Sequence, residues 1–214
     1  DKDLKEAMKW WTRAADNGLA AAQHRLGALY EYGQGADKDA AKAIELYTRG
    51  ARAGDAQSAF CLGRILCNTA KTASEFEEAR GWLESAAARG NPWALRRIGW
   101  MYTKGKGVAL DHGTAMKYFH LADANGCTDA ANDIGDLFFH GRGVQQDYAK
   151  AMKWYQKAAD QGDAVGFNNL AWSYLHGLGV ETNGAKALAY YRKAADMGDL
   201  KSMNDAGWMY REGR

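Results

Sequence analysis

A period of 36 residues runs through this chain and limits what it can fold into. The stretch DLKEAMKWWTRAADNG at Asp3–Gly18 returns as DYAKAMKWYQKAADQG at Asp147–Gly162. Nine of the sixteen positions are identical, and the offset of 144 residues is four periods. At steps of 36 one glycine recurs as Gly18, Gly54, Gly90, Gly126, Gly162 and Gly198. A second recurs as Gly27, Gly63, Gly99, Gly135 and Gly207, with Ala171 in the remaining place, and an alanine recurs from Ala7 through Ala43, Ala79, Ala115 and Ala151 to Ala187. No insertion or deletion breaks the phase. Repetition of this kind marks a solenoid, in which each unit buries its apolar face only by stacking on its neighbours.

Each unit reads as two helices. Phe167, Leu170 and Tyr174 follow one helical face at steps of three and four. GLGV at Gly177–Val180 then interrupts, as GQGA, GKGV and GRGV do at Gly33, Gly105 and Gly141, with glycines suited to left-handed turns. The second helix is expected to start at an N-cap: Asp39, Asp111, Asp147 or Asn183. It continues along the stripe Ala151, Trp154, Tyr155, Ala158 and Ala159. Within that stripe Trp10, Trp82, Tyr118, Trp154 and Tyr190 are expected to be framework residues of the core. One loop departs from the pattern: in NTAKTASEFEEA at Asn68–Ala79, Thr69 and Lys71 stand where paired glycines occur elsewhere. It is expected to keep its length and take another turn conformation, with a local binding site as the alternative.

These elements predict an all-α chain, a right-handed α–α superhelix of 36-residue helix-turn-helix repeats. A single proline and no Ser- or Pro-rich run leave no linker, so one domain over residues 1–214 is expected: a half repeat, five units from about residue 19 to 198, and a partial repeat. Neither end reads as the polar cap that terminal solenoid units carry. The expectation is therefore a segment of a longer protein. The 28 basic and 26 acidic residues nearly cancel, which argues against the dense basic face that nucleic acid or an anionic membrane requires. No apolar run reaches the roughly 18 residues of a membrane span.

The pattern of Leu-Gly, Tyr and Gly-x-Gly-Val, then Asp-Tyr-x-x-Ala, Trp-Tyr and Ala-Ala-x-x-Gly, resembles the Sel-one-like repeat (SLR) family, a relative of the tetratricopeptide repeat. The best copy runs from Ile134–Gly135 through HGRGVQQDYAKAMKWYQKAADQGD to Asp163. The resemblance covers essentially the whole chain and departs at Thr69–Lys71. It implies a superhelix of antiparallel helix pairs and a non-catalytic scaffold or adaptor, which binds a partner protein or extended peptide on its concave face. It also implies a bacterial setting, with periplasm, cell envelope or secretion ahead of the cytoplasm. Two other roles stay open: an inhibitor or immunity-type protein blocking one enzyme, and a glycan-binding module of the cell envelope.

In the tetratricopeptide arrangement the first helix of each unit lines the concave face. Its exposed positions are two, five, nine and twelve, in a frame where Leu-Gly occupies seven and eight. Position nine holds Ala28, Arg64, Trp100, Asp136, Trp172 and Trp208; position two includes Trp93 and Lys201. Exposed tryptophans mark binding surface and often anchor interfaces; the alternative is that they pack on neighbouring first helices. Position five holds His24, Phe60, Arg96, Asn132, Asn168 and Asn204. Three successive asparagine amides suit the backbone of an extended peptide, or equally bond one another across repeats. The candidate partner-binding residues are Trp93, Arg96, Trp100, Asn132, Asp136, Asn168, Trp172, Asn204 and Trp208.

No histidine pair, nucleophile elbow or phosphate loop appears, and no cofactor or metal site is expected. His140 and His176 share a phase, and the cluster Glu75, Glu77 and Glu78 suits a helix start. Some exported SLR proteins carry paired cysteines in every repeat, and this chain does not. Cys61 and Cys67 are six apart on one helix, about 9 Å at 1.5 Å per residue. That exceeds the roughly 4.4–6.8 Å usual for a disulfide, so free thiols are expected, Cys127 included.

Overall fold

The computed structural model describes residues 3–213, and those residues form α-helices and loops with no strand. The helices gather into two compact units, one through Leu110 and one from Asp111. The first unit contains α1 (Leu4–Asp16), α2 (Ala20–Tyr32), α3 (Ala40–Arg52), α4 (Ala56–Thr69), α5 (Ala73–Ala88) and α6 (Pro92–Lys104). The second contains α7 (His112–Ala124), α8 (Ala130–His140), α9 (Tyr148–Asp160), α10 (Ala164–His176), α11 (Gly184–Asp196) and α12 (Leu200–Glu212). Even-numbered helices are the first helices of the repeat and odd-numbered ones the second. This is the all-α helical repeat that the period predicts. Within each unit a helix packs mainly on its sequence neighbours.

The helix starts follow from local chemistry. Asp39, Asp111, Asp147 and Asn183 each accept a hydrogen bond from the backbone N–H three residues on, at 2.8–3.0 Å. The N–H of Asp147 in turn donates to the Phe138 carbonyl at 3.0 Å, stitching the loop to the end of α8. Each first helix apart from α4 ends at a left-handed glycine: Gly33, Gly105, Gly141, Gly177 and Gly213. The second loop glycine has a steric reason as well. A Cβ on Gly179 would lie 2.6 Å from the Tyr148 backbone, so the loop lies directly on the start of α9.

The loop from Asn68 does not keep its length. The α4 helix extends to Thr69 and α5 begins at Ala73, leaving Ala70–Thr72 as the connection. The cause is a capping box. Thr72 accepts from the Glu75 N–H, while the Glu75 carboxylate accepts from Lys71 and Thr72 N–H at 2.6 and 3.1 Å. Those backbone donors hold the Glu75 carboxyl below the usual carboxylate range.

The core of each unit is built at one crossing. A Cβ on Gly27 would stand 2.9 Å from the Tyr47 ring, one on Gly63 2.8 Å from Leu83, and one on Gly135 2.5 Å from Tyr155. The missing side chain lets a second helix lay a large residue against the backbone of the first. Tyr47, Leu83, Phe119, Tyr155 and Tyr191 are all 0–2% exposed. This corrects the expected core position by one residue: Trp10 is 58% exposed, and Trp82, Tyr118, Trp154 and Tyr190 are half-buried. The preceding alanine of the motif is completely buried in Ala43, Ala79, Ala115, Ala151 and Ala187.

The buried phenols keep partners. Tyr47 Oη donates to Glu31 at 2.9 Å, and Arg64 pairs with the same carboxylate; Tyr155 Oη donates to Asp136 at 2.8 Å. Burial, reinforced by nearby acidic charge and, at Tyr47, by Cys61 as well, pushes the Tyr47, Tyr155 and Tyr191 phenols well above their ordinary range. The three cysteines are free. Burial raises the Cys61 thiol, which holds it in its unreactive protonated form.

Two expected outcomes test this core. Gly135→Ala forces the Tyr155 ring to move and costs about 1–3 kcal/mol, as overpacking does. Gly81→Ala, at an α5 position with nothing within 4 Å, stabilises by up to about 1 kcal/mol through helix propensity; urea unfolding of both reads the opposite signs. The second outcome concerns pH. The unfolded chain releases phenolic protons near pH of about 10 that the folded chain retains. Stability is therefore complete below that pH and falls as pH rises above it. The fall in urea midpoint is shallower when Tyr47, Tyr155 and Tyr191 are replaced by Phe.

Candidate functional site

The first helices of the second unit carry six of the nine candidate residues: Asn132 and Asp136 on α8, Asn168 and Trp172 on α10, Asn204 and Trp208 on α12. Position nine follows the buried Ile134, Leu170 and Ala206 by two residues and points off the packed stripe. Its side chains are accordingly exposed: Asp136, Trp172 at 42% and Trp208 at 39%.

Two hollows meet at Trp172. One, of about 180 Å³, is lined by residues of α8, α9, α10 and α12, among them Asp136, Tyr155, Asn168, Asn169, Trp172 and Lys201. Its polar groups are arranged by the fold: Tyr155 holds Asp136, and Lys201 Nζ lies 3.3 Å from Asn168 Oδ1. The other, of about 270 Å³, is walled by Trp172, Leu175, His176, Tyr191, Asp205 and Trp208 and is mostly apolar. The His176 ring lies 4.0 Å from the Trp172 ring, one helical turn on. A polar trough beside a slot of flat rings suits the alternation of backbone and side chain in a polypeptide.

The asparagine expectation is corrected. Asn132 and Asn168 are 6% and 4% exposed, so neither offers its amide to a ligand. Asn168 Nδ2 donates to Ser202 Oγ at 2.8 Å, in the first turn of α12. Asn132 Nδ2 donates to Asp163, the N-cap of α10, and Asn132 Oδ1 accepts from Asn169 at 3.4 Å. These amides tie α8 to the N-cap of α10 and to Asn169 within it, and α10 to the first turn of α12. Asn204 is exposed and donates to the neighbouring Asp205 at 3.4 Å.

Trp93, Arg96 and Trp100 lie on α6 in the first unit. Trp93 is 42% exposed, as position two predicts. Trp100 is half-buried beneath the Arg97 guanidinium, which stands 4.6 Å from its ring centre and donates to Asn68. Sequence reasoning left His176, Leu175, Tyr191 and Asp205 out of the site. A usable signal was the spacing of His176, four residues after Trp172 on the same helical face.

Asn168→Ala is expected to lower stability by about 1–3 kcal/mol, because Ser202 and Lys201 lose a buried partner. Trp172→Ala, at a surface position, changes the urea midpoint little. The reverse ranking would make the asparagine a ligand group and the tryptophan a packing residue.

Comparison with known proteins accords with this architecture. The Sel1 repeat profile matches residues 1–19, 20–55, 73–91, 94–126, 128–163 and 168–199. The gap at 56–72 takes in α4 and the shortened loop. A Sel1 repeat protein from Oxalobacter formigenes superimposes with a TM-score of 0.86 at 29% identity, covering 98% of this chain and 86% of that one. The protein c5321, a protective antigen of uropathogenic Escherichia coli strains with an SLR fold, gives a TM-score of 0.77 at 29% identity, covering 99% of this chain and 45% of that one. Uncharacterized protein NMB1327 of Neisseria meningitidis serogroup B is 28% identical over 116 residues, 54% of this chain and 24% of that protein. The chain thus spans about a quarter of the length of that curated relative. With the profile matching most of its length and the same helix pairs in solved relatives, the chain belongs to the Sel1 repeat family.

Proposed function

We propose that this chain is a non-catalytic interaction module whose second unit holds an extended segment of a partner protein across α8, α10 and α12. The observation that carries this reading is the pair of adjoining hollows at Trp172, with two half-exposed indoles over one and fixed polar groups in the other. Packed helices stand roughly 8–10 Å apart, and an extended chain rises about 3.3 Å per residue. A bound segment therefore meets a new first helix about every third residue. An aromatic or aliphatic side chain fills the slot between Trp172 and Trp208, while Asp136, Asn169 and Lys201 pair with backbone or polar groups alongside. Sel1 repeat proteins generally act as protein-interaction scaffolds, which supports the same reading. No helix among the described residues is long and apolar enough to cross a membrane.

The test is a paired affinity capture from the native source with wild-type chain and the Trp172→Ala, Trp208→Ala double variant, helicity being matched by circular dichroism. Each truncation of such an anchor costs about 2 kcal/mol or more, roughly thirtyfold in Kd. The partner is expected on the wild-type bait and lost from the variant. A partner retained equally by both would remove the binding face from the second unit.

A further inference from the structure

The slot beside Trp172 carries a charge on one wall. Helices α10, α11 and α12 enclose it with aromatic rings, Leu175 and the carboxylate of Asp205. In the neighbouring hollow the acid is well held, since Tyr155 Oη donates to Asp136 at 2.8 Å. Asp205 has less: among the described residues it accepts from Asn204 at 3.4 Å and forms no ion pair. It is half-buried, and its charge reinforces what burial does to the Tyr191 phenol.

The direction of Asp205 is set by the repeat. It occupies position six, which faces the preceding first helix elsewhere in the chain. Cys61 Sγ of α4 lies 3.8 Å from His24 Nε2 of α2, Arg97 of α6 donates to Asn68 of α4, and Asn169 of α10 donates to Asn132 of α8 at 3.4 Å. Asp205 therefore turns back toward α10. Trp172 keeps 42% of its surface exposed with α12 beside it, so position nine stays open where a further first helix follows. In α6 the chain puts a cation on the position-nine ring itself: the Arg97 guanidinium stands 4.6 Å from the ring centre of Trp100. Helix α12 repeats the tryptophan and replaces that arginine with an acid.

We infer that the slot receives an arginine side chain of the partner segment, its stem and guanidinium plane against the Trp172 and Trp208 indoles and its charge on the Asp205 carboxylate. This rests on the peptide-binding reading of the same face and names the residue that enters it. A wholly apolar side chain would take water from Asp205 and give it no partner, which costs free energy. Arginine fills the slot with its methylenes and answers the carboxylate at its tip. Its planar, weakly hydrated guanidinium stacks on rings and forms paired hydrogen bonds to a carboxylate, whereas a lysine ammonium is a compact, strongly hydrated charge.

The experiment is nuclear magnetic resonance titration of the nitrogen-15-labelled full chain with two acetylated, amidated pentapeptides: arginine flanked by two glycines on each side, and its norleucine counterpart. The indole N–H signals of Trp172 and Trp208 are assigned from Trp172→Phe and Trp208→Phe. Both signals are expected to shift with the arginine peptide, at a Kd about fivefold below that of the norleucine peptide. Asp205→Asn is expected to remove that preference and leave the norleucine response unchanged, which also shows that the slot is intact. Norleucine binding as tight as arginine overturns the inference and leaves the peptide-binding reading standing. Arginine binding that Asp205→Asn does not weaken overturns it too. So does the absence of any shift at either indole, and the affinity capture then decides separately whether the face binds a partner.

Discussion

The close approach of a second helix to the backbone of the preceding first helix is the contact on which the structure depends. It needs a residue without a side chain, or nearly so, on the first helix, and a large residue opposite. Gly27 with Tyr47, Gly63 with Leu83 and Gly135 with Tyr155 meet it fully, and Ala171 with Tyr191 meets it with one methyl. The alanine four residues before each large residue is completely buried for the same reason. Because the contact fixes which residue of one helix faces which residue of the next, the period cannot drift. An insertion in a loop would be tolerated only if it left this pairing intact. That is consistent with the one shortened loop, in which α4 and α5 lengthen and the Gly63–Leu83 contact survives.

Most of the fold was legible because repetition averages out local ambiguity. A single Gly or Asp says little, whereas Asp39, Asp111, Asp147 and Asn183 in one phase specify four helix starts, and all four accept the expected bond. The reading failed where two adjacent positions have the same chemistry. Trp10 and Trp11, or Tyr190 and Tyr191, are both aromatic, and only the direction of the helix face decides which ring meets the glycine. That direction differs by about 100° per residue at 3.6 residues per turn. The loop at Thr69 was misread for a different reason. A capping box at Thr72 and Glu75 is a local bond network strong enough to restart the helix early, and the motif T-x-x-E was present in the sequence.

Which candidate residues reach the surface was legible in part, and the reason is physical. Trp172, Trp208 and Asp136 are where position nine puts them, exposed and around shared hollows. Asn132 and Asn168 are not, although they stood in the same ladder argument. An asparagine that recurs at one phase is under the same constraint in each unit, and here the constraint is to bridge to the start of the next first helix. Ser202 and Asp163 are those bridgeheads. Asn204 has the same phase and remains exposed because no equivalent first turn meets it among the described residues. Recurrence at one phase therefore indicated architecture for the asparagines, whose polar ends must be satisfied when buried. The tryptophans escape that logic since an indole can stay half-exposed without an unpaired polar group to bury.

The acids around the hollows follow from the same economy of burial. Tyr155 and Tyr191 supply rings to the core crossing, but each ring carries a hydroxyl to the margin of the first-helix face. At Tyr155 that hydroxyl is held by Asp136; Asp205 is the acid whose charge reaches Tyr191. A position that begins as a packing requirement thus ends as a polar group at the margin of the hollows. The hollow beside Asp136 is consequently preorganised: its carboxylate is fixed by a buried phenol and its amides by inter-repeat bonds. Preorganised polar groups lower the ordering cost of binding. Every residue that lines the two hollows lies on a helix, and those same helices carry the core.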